Sequence, residues 1–221
     1  MKKKQEDGAE MIYLLENSDG LTETFLLQGL PLLSRQRRDR ILRYGSLQDR
    51  INGCAAYLLL RYGLWQEYQI RTAPAFIFGE HEKPFLADYP DIYFNLSHCK
   101  TAIACIIAPQ ETAIDVTDRR KIKNNLTRRV CSPEEQRQLS VSEDPETCFL
   151  RMWTRKECLS KLTGEGMSRS FRTITDEWPQ AVYVHTEERP CCILSYYAEE
   201  PQTIRSLTAQ TLWDTLSENN T

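Results

Sequence analysis

Apolar residues fall along this chain in two rhythms, and the switches between them mark its elements. Met11 to Leu15 is an unbroken apolar run of strand length, whereas from about Thr22 to Gly63 apolar positions recur at helical spacing. Within that stretch Ser34 is placed to cap a segment whose Arg35, Arg37, Arg38, Arg40 and Arg43 surround Ile41 and Leu42, and Leu47 to Leu64 predicts a long apolar helix. Strand rhythm returns at Ala75 to Phe78, Asp91 to Leu96 and Thr101 to Ile107. These runs are separated by Gly79-Glu80-His81-Glu82-Lys83-Pro84 and Ser97-His98-Cys99-Lys100, both rich in turn formers.

A second succession begins near Thr112. Ile114 and Val116 alternate as in a strand, and Ile122 to Val130 predicts a short helix. Ser132-Pro133-Glu134-Glu135 is a helix start, with a capping hydroxyl, a proline at the first helical position and a glutamate three residues after the serine. Asp144-Pro145-Glu146 opens a further helix that should run to about Leu162 and end near Gly164. Strands are expected at Phe171 to Thr175, Ala181 to His185 and Cys191 to Ala198. The order predicts an α+β fold in two parts, 1–111 and 112–221, with neither an internal sequence repeat nor a loose linker.

Composition narrows the class. With 221 residues and 41% hydrophobic content the chain can bury a substantial core, and a net charge of -3 argues against a general nucleic-acid binder. The eight cysteines form no CxxC pair and sit mostly in apolar runs, which suits a reduced, cytoplasmic protein. Met1 to Asp7 starts like the basic region of a secretory signal but no apolar core follows, and no stretch is long enough to span a bilayer. No membrane or nucleic-acid partner is expected, and the chain is expected to be a monomer.

The candidate chemistry lies in three signatures: Phe94-Asn95-Leu96-Ser97-His98, Ala113-Ile114-Asp115-Val116-Thr117, and Trp153-Thr154-Arg155-Lys156-Glu157 with Lys161 one turn beyond. If Ile114 and Val116 face a core, strand alternation puts Asp115 and Thr117 together on the opposite face. Helical spacing puts Phe149, Trp153, Glu157 and Lys161 on one stripe running from apolar to ionic. Were its ionic end to meet the Asp115 strand, Asp115 and Glu157 would offer oxygen ligands to Mg²⁺ and Lys161 would face phosphate. Taken singly, each feature has an ordinary reading: a solvated ion pair, a turn aspartate, a backbone-bonded histidine or a solvated arginine face. The histidines at 81, 98 and 185 have no zinc-site spacing, and Gly164-Glu165-Gly166 is too short for a phosphate cradle.

Jointly, in this order, these motifs resemble the 4'-phosphopantetheinyl transferases of the larger, Sfp-like type. The resemblance covers about Leu30 to Ile204. It is carried by Arg37-Arg38-Asp39-Arg40 with Arg43-Tyr44, Lys83-Pro84, Asp88-Tyr89-Pro90-Asp91, the N-x-S-H motif at Asn95 to His98, Ile114-Asp115-Val116, the W-x-x-K-E-x-x-x-K motif from Trp153 to Lys161, and Gly164 and Gly166. It implies two similar α+β halves related by a pseudo-twofold axis, with coenzyme A in the cleft between them. It also implies Mg²⁺-dependent transfer of the phosphopantetheine arm to a serine of an acyl or peptidyl carrier protein, with release of 3',5'-ADP. Arg37 and Arg40 match residues that hold the 3'-phosphate, Lys83, Ser97 and His98 match further nucleotide contacts, Asp115 and Glu157 match metal ligands, and Lys161 matches the lysine on the pyrophosphate. Glu157 is also placed to remove the serine proton, directly or through a metal-bound water. A basic fringe for the carrier protein is expected from Lys121, Lys123, Arg128 and Arg129.

The chain departs from the family pattern at the metal. Where G-I-D-x-E is common, Ala113 replaces the glycine and Thr117 the second acid, which leaves Thr117 to orient a water. Asp118 is a possible substitute, although alternation turns it to the other face. His81 and Glu82 stand where a small residue often precedes the Lys-Pro pair, and are expected to alter nucleotide contacts. These departures leave open a non-catalytic homologue that binds coenzyme A or a carrier protein. A third class, an anionic-surface binder using the arginine-rich helix, is opposed by the net negative charge.

Overall fold

Two sheets lie face to face, and each carries a long helix on its outer side. The structure, a computed structural model, describes residues 10–122, 124–164, 170–177 and 179–217. The sequence expectations for Met1 to Asp7, Lys123, Glu165 and Gly166 lie outside the described residues. The first sheet has the order β4-β5-β1-β9, from Tyr93–His98 (β4), Ala102–Ala108 (β5), Met11–Glu16 (β1) and Ile204–Leu207 (β9). The second has the order β6-β8-β7, from Ala113–Asp118 (β6), Cys192–Tyr197 (β8) and Val184–Glu188 (β7). A small hairpin, Phe76–Phe78 (β2) with Pro84–Leu86 (β3), leads into β4.

The unbroken apolar runs follow from burial on both faces of each sheet. In β1, Met11, Tyr13 and Leu15 join the helices, while Ile12 and Leu14 point into the core between the sheets. In β5, Ile103, Cys105 and Ile107 likewise face outward, and Ala102, Ala104 and Ile106 face inward. The second sheet closes that inner core with Ile114, Val116, Cys192, Leu194 and Tyr196. The inward side chains of the two sheets thus form one shared apolar core between them.

Helices Glu23–Gly29 (α1), Arg35–Leu42 (α2) and Leu47–Tyr68 (α3) cover the first sheet. Ser34 and Ser46 cap α2 and α3 by accepting the Arg37 and Asp49 amides. Helix α3 is buried continuously from Ile51 to Arg61 because sheet, helices and hairpin surround it. At Gly63 a Cβ would come within 2.5 Å of Ile107 and 2.7 Å of the Tyr13 ring, so glycine permits the close approach of α3 to the sheet. On the second sheet lies Pro145–Thr163 (α6), preceded by Asn124–Val130 (α4) and Pro133–Val141 (α5). The expected capping box is present at Ser132 and Glu135, and α6 ends on Gly164 at φ 75, the left-handed geometry that favours glycine.

The helical patterning from Thr22 to Gly63 resolves into α1, α2 and α3, parted by the 3₁₀ turn Leu30–Leu32 and by the Gly45 turn. Two sequence expectations change. The strand expected at Phe171 to Thr175 is instead a turn followed by the short helix Ile174–Glu177 (α7). There the Phe171 ring stacks on Trp153 at 5.6 Å, and its carbonyl is taken by a lysine rather than by a neighbouring strand. The strand expected at Ala181 to His185 starts later, as β7, because Arg155 binds the Ala181 and Val184 carbonyls and holds Ala181–Tyr183 in a 3₁₀ turn. Beyond these, β9 returns to pair in parallel with β1, and the helix Ala209–Ser217 (α8) packs on the first part, where Trp213 meets Phe25 at 5.0 Å between ring centres. All eight cysteines are free. Among the described residues no helix is long and apolar enough to cross a membrane.

Glu10, at the start of β1, accepts from Thr112 and Gln110 at 3.4 Å each. Burial pushes its carboxyl up to about 7, and Glu199 pushes it the same way, while the Thr112 bond opposes them. A raised folded-state pKa contributes stability below the ordinary carboxylate range that is lost as pH rises through 7. Glu10→Gln is therefore expected to raise the melting temperature at pH 8 and to leave it unchanged at pH 4, as read by thermal unfolding at both values.

Candidate active site

The site forms where the edge strands β4 and β6 meet. Strand β6 pairs with β8 on one side, but on the other, side chains of β4 replace a ladder. The Ile114 amide donates to Asn95 Oδ1 at 3.2 Å and the Val116 amide donates to Ser97 Oγ at 3.1 Å. Alternation puts Asn95 and Ser97 on one face of β4, so the two-residue spacing of the N-x-S motif matches the two-residue spacing of the amides it satisfies.

From this seam Ser97 reaches the ionic groups. Its hydroxyl donates to Asp115 Oδ1 at 2.9 Å and accepts from Lys161 Nζ at 2.7 Å, so together with the Val116 amide its donor and both acceptor positions are filled. Lys161 Nζ also binds Asp115 Oδ1 at 2.7 Å and the Ile114 carbonyl at 3.3 Å. Asp115 is only 6% exposed, and Thr117, also buried, lies two residues along the same face of β6. The α6 stripe thus brings its ionic end to the Asp115 strand.

Glu157, one turn before Lys161, is half-buried and has no hydrogen-bond partner among the described residues. Burial pushes its carboxyl above the usual range and the charge of Asp115 pushes it further, with Lys161 opposing. Two carboxylates crowded in this way favour either a shared proton or a cation. Among the described residues no third His, Cys, Asp or Glu joins them. Asp118 does not, because its carboxylate holds the β4–β5 turn by accepting from the Lys100 and Thr101 amides and the Thr101 hydroxyl.

Cations line the approach from the first sheet. His98 ends β4, with its side chain partly exposed. Crowding of its ring by the surrounding chain, followed by the charges of Lys161 and Arg37, holds its pKa below the ordinary value against Asp49 and Asp115. Arg37 donates to the Gly53 carbonyl at 3.4 Å and lies 5.8 Å from the centre of the Phe76 ring. Its buried Nε–H has no hydrogen-bond partner among the described residues. Lys83 donates to the Leu162 carbonyl at 2.8 Å and so ties the hairpin to the C-terminal end of α6. Arg40 lies outside this ionic group, held by Glu82 at 3.4 Å and by the Phe78 ring at 4.6 Å. Ser97, Asp115 and Lys161 are in direct contact, with Glu157 and His98 in their field. Thr117 shares the Asp115 face without a side-chain bond among the described residues.

Lys156, a motif position with no role expected of it above, is 0% exposed and donates to Glu135 Oε2 at 2.6 Å, the Phe171 carbonyl at 2.6 Å and the Val130 carbonyl at 2.9 Å. It locks α4, α5 and the turn at Phe171 onto α6, and thereby fixes the helix that presents Glu157 and Lys161. A buried hydroxyl chain does the same on the sheet side, with Thr154 Oγ1 2.8 Å from Ser195 Oγ and that oxygen 2.9 Å from Thr186 Oγ1.

Comparison with known proteins places the chain in a family. Residues 111–209 match the family described as the 4'-phosphopantetheinyl transferase superfamily. The 4'-phosphopantetheinyl transferase Sfp of Bacillus subtilis (strain 168) is 25% identical over 174 residues, covering 76% of this chain and 78% of the relative. The 4'-phosphopantetheinyl transferase AcpT of Salmonella typhi is 30% identical over 142 residues, covering 59% of this chain and 73% of the relative. A yeast relative, the L-aminoadipate-semialdehyde dehydrogenase-phosphopantetheinyl transferase of Saccharomyces cerevisiae, is 27% identical over 177 residues, covering 71% and 61%. With this breadth of similarity and the three motifs meeting at one seam, the chain belongs to the 4'-phosphopantetheinyl transferase superfamily.

Proposed function

We propose that this protein transfers the 4'-phosphopantetheine group of coenzyme A to a serine of an acyl or peptidyl carrier protein, as a cytoplasmic monomer. Two similar halves, 1–111 and 112–221, would be related by a pseudo-twofold axis with the coenzyme between them, the final strand and helix crossing back to the first. The observation that carries the reading is the Ser97–Asp115–Lys161 contact at the seam, with Glu157, which has no hydrogen-bond partner among the described residues, beside it.

Arg37 and Arg40 take the 3'-phosphate through paired guanidinium donors. Lys83, Ser97 and His98 contribute further contacts to the nucleotide and its phosphates. Lys161 turns from Asp115 toward the pyrophosphate and neutralises charge on the departing 3',5'-ADP. The serine oxygen bonds to the phosphorus bearing the pantetheine arm, the pyrophosphate bridge breaks with its electron pair leaving on ADP, and Glu157 accepts the serine proton. The all-oxygen donor set of Asp115 and Glu157, with Thr117 orienting a water, suits Mg²⁺, whose other ligands come from phosphate and water. When bound, such an ion supplies further neutralisation of the pyrophosphate. The exposed Lys121, Arg128 and Arg129 form a basic fringe suited to an acidic carrier protein.

One observation favours a second reading, a non-catalytic homologue that binds coenzyme A or the carrier protein: no third acid joins the Asp115 pair among the described residues. Chromatography separates the two. Carrier-dependent appearance of 3',5'-ADP from coenzyme A and Mg²⁺ supports transfer, and coenzyme binding without that product supports the alternative. Arg40→Ala is expected to weaken coenzyme A binding about tenfold by calorimetry, the loss of a charge-assisted bond, with kcat little changed.

A further inference from the structure

In this structure Arg40 is already engaged. Its guanidinium donates to Glu82 Oε2 at 3.4 Å and rests 4.6 Å from the centre of the Phe78 ring, clasped by the turn that joins β2 to β3. That turn is strained: His81 and Glu82 have φ 58 and 61, in the left-handed region where a side chain is unfavourable. A carboxylate has therefore been placed at a costly backbone position, and its contact is one of the cations proposed to hold phosphate.

We propose that Glu82 is an internal competitor for the 3'-phosphate, occupying Arg40 in the free protein and giving way when coenzyme A binds. The inference rests on the proposed function. Carboxylate and phosphate offer the guanidinium equivalent oxygen pairs, so the Arg40 donor bound to Glu82 is lost to the ligand until the ion pair opens. The Glu82 side chain is 83% exposed, so the pair is solvent-screened and sets affinity by a modest factor rather than blocking the site. Only a ligand bearing the 3'-phosphate competes for that arginine. Glu82 is thus a specificity-determining residue that lowers the preference of the site for coenzyme A over dephospho-coenzyme A, which lacks the group.

Calorimetry on the full chain tests this with both ligands. Glu82→Gln is expected to bind coenzyme A roughly two- to fivefold more tightly and dephospho-coenzyme A as before. The gain should shrink at high salt and vanish when Arg40→Ala is added. Glu82→Gly, which also relieves the backbone, controls for loop shape: equal improvement of both ligands in the two variants would assign the effect to the turn and overturn the proposal. Unchanged coenzyme A affinity in Glu82→Gln would overturn it as well. In either case wild-type coenzyme binding stays intact, whereas a wild-type protein that binds neither ligand refutes the proposed function itself, and the competitor with it.

Discussion

Lys156→Met is expected to destabilise the protein by about 3–5 kcal/mol, among the larger losses available to a single substitution in this chain. The side chain is fully buried, so its removal strands the Glu135 carboxylate, only 14% exposed, and deprives the Val130 and Phe171 carbonyls of their donor. Glu135 keeps its capping bond from the Ser132 amide at 2.7 Å, but that bond alone does not balance a buried charge. Adding Glu135→Gln neutralises the stranded group and keeps the capping geometry, so the double variant is expected to recover part of the loss. Denaturant unfolding of the two variants checks both statements. A loss below about 1 kcal/mol for Lys156→Met would mean that water replaces the ammonium at that position.

One residue along the same helix, the opposite phenotype is expected. Glu157→Gln and Asp115→Ala should each lower kcat at least a hundredfold, the scale for a lost proton acceptor or lost transition-state electrostatics. Glu157→Gln should do so without a stability penalty near neutral pH. The charged carboxylate is disfavoured in the fold by burial and by Asp115, so a neutral amide gives up no favourable charge; the carboxyl's own contribution is full below the ordinary carboxylate range and is lost as pH rises through its raised folded value. Asp115→Ala releases Lys161 and leaves Ser97 without its acceptor, so a moderate stability loss should accompany its inactivity. Steady-state kinetics beside thermal melts separates the two neighbours: position 156 governs melting, position 157 governs turnover.

The contrast between these two residues shows what periodicity makes legible. Helical spacing set Glu157 and Lys161 on one stripe, strand alternation set Asp115 opposite Ile114 and Val116, and local rules located the caps at Ser34, Ser132 and Asp144. These are short-range geometries, and the chain encodes them within a few residues. Lys156 depends on partners 15 to 26 residues away, and nothing in its neighbours distinguishes it from a surface lysine. The same distance hid the turn at Phe171: its aromatic and β-branched surroundings read as strand, while its carbonyl is taken by that lysine. Strand β9 was illegible because its partner β1 lies almost the whole chain away. In the N-x-S-H motif the sequence pointed to phosphate contacts but not to the edge bonds of Asn95 and Ser97, which require knowing that β4 meets β6.

The account centres on transfer at this seam, and intact-mass spectrometry of an apo carrier protein tests it most directly. After incubation with the wild-type chain, coenzyme A and Mg²⁺, the carrier should gain one phosphopantetheine, and with Asp115→Ala in its place it should gain none. A carrier that stays unmodified although the wild-type chain binds coenzyme A, or equal modification by the Asp115→Ala variant, would contradict it.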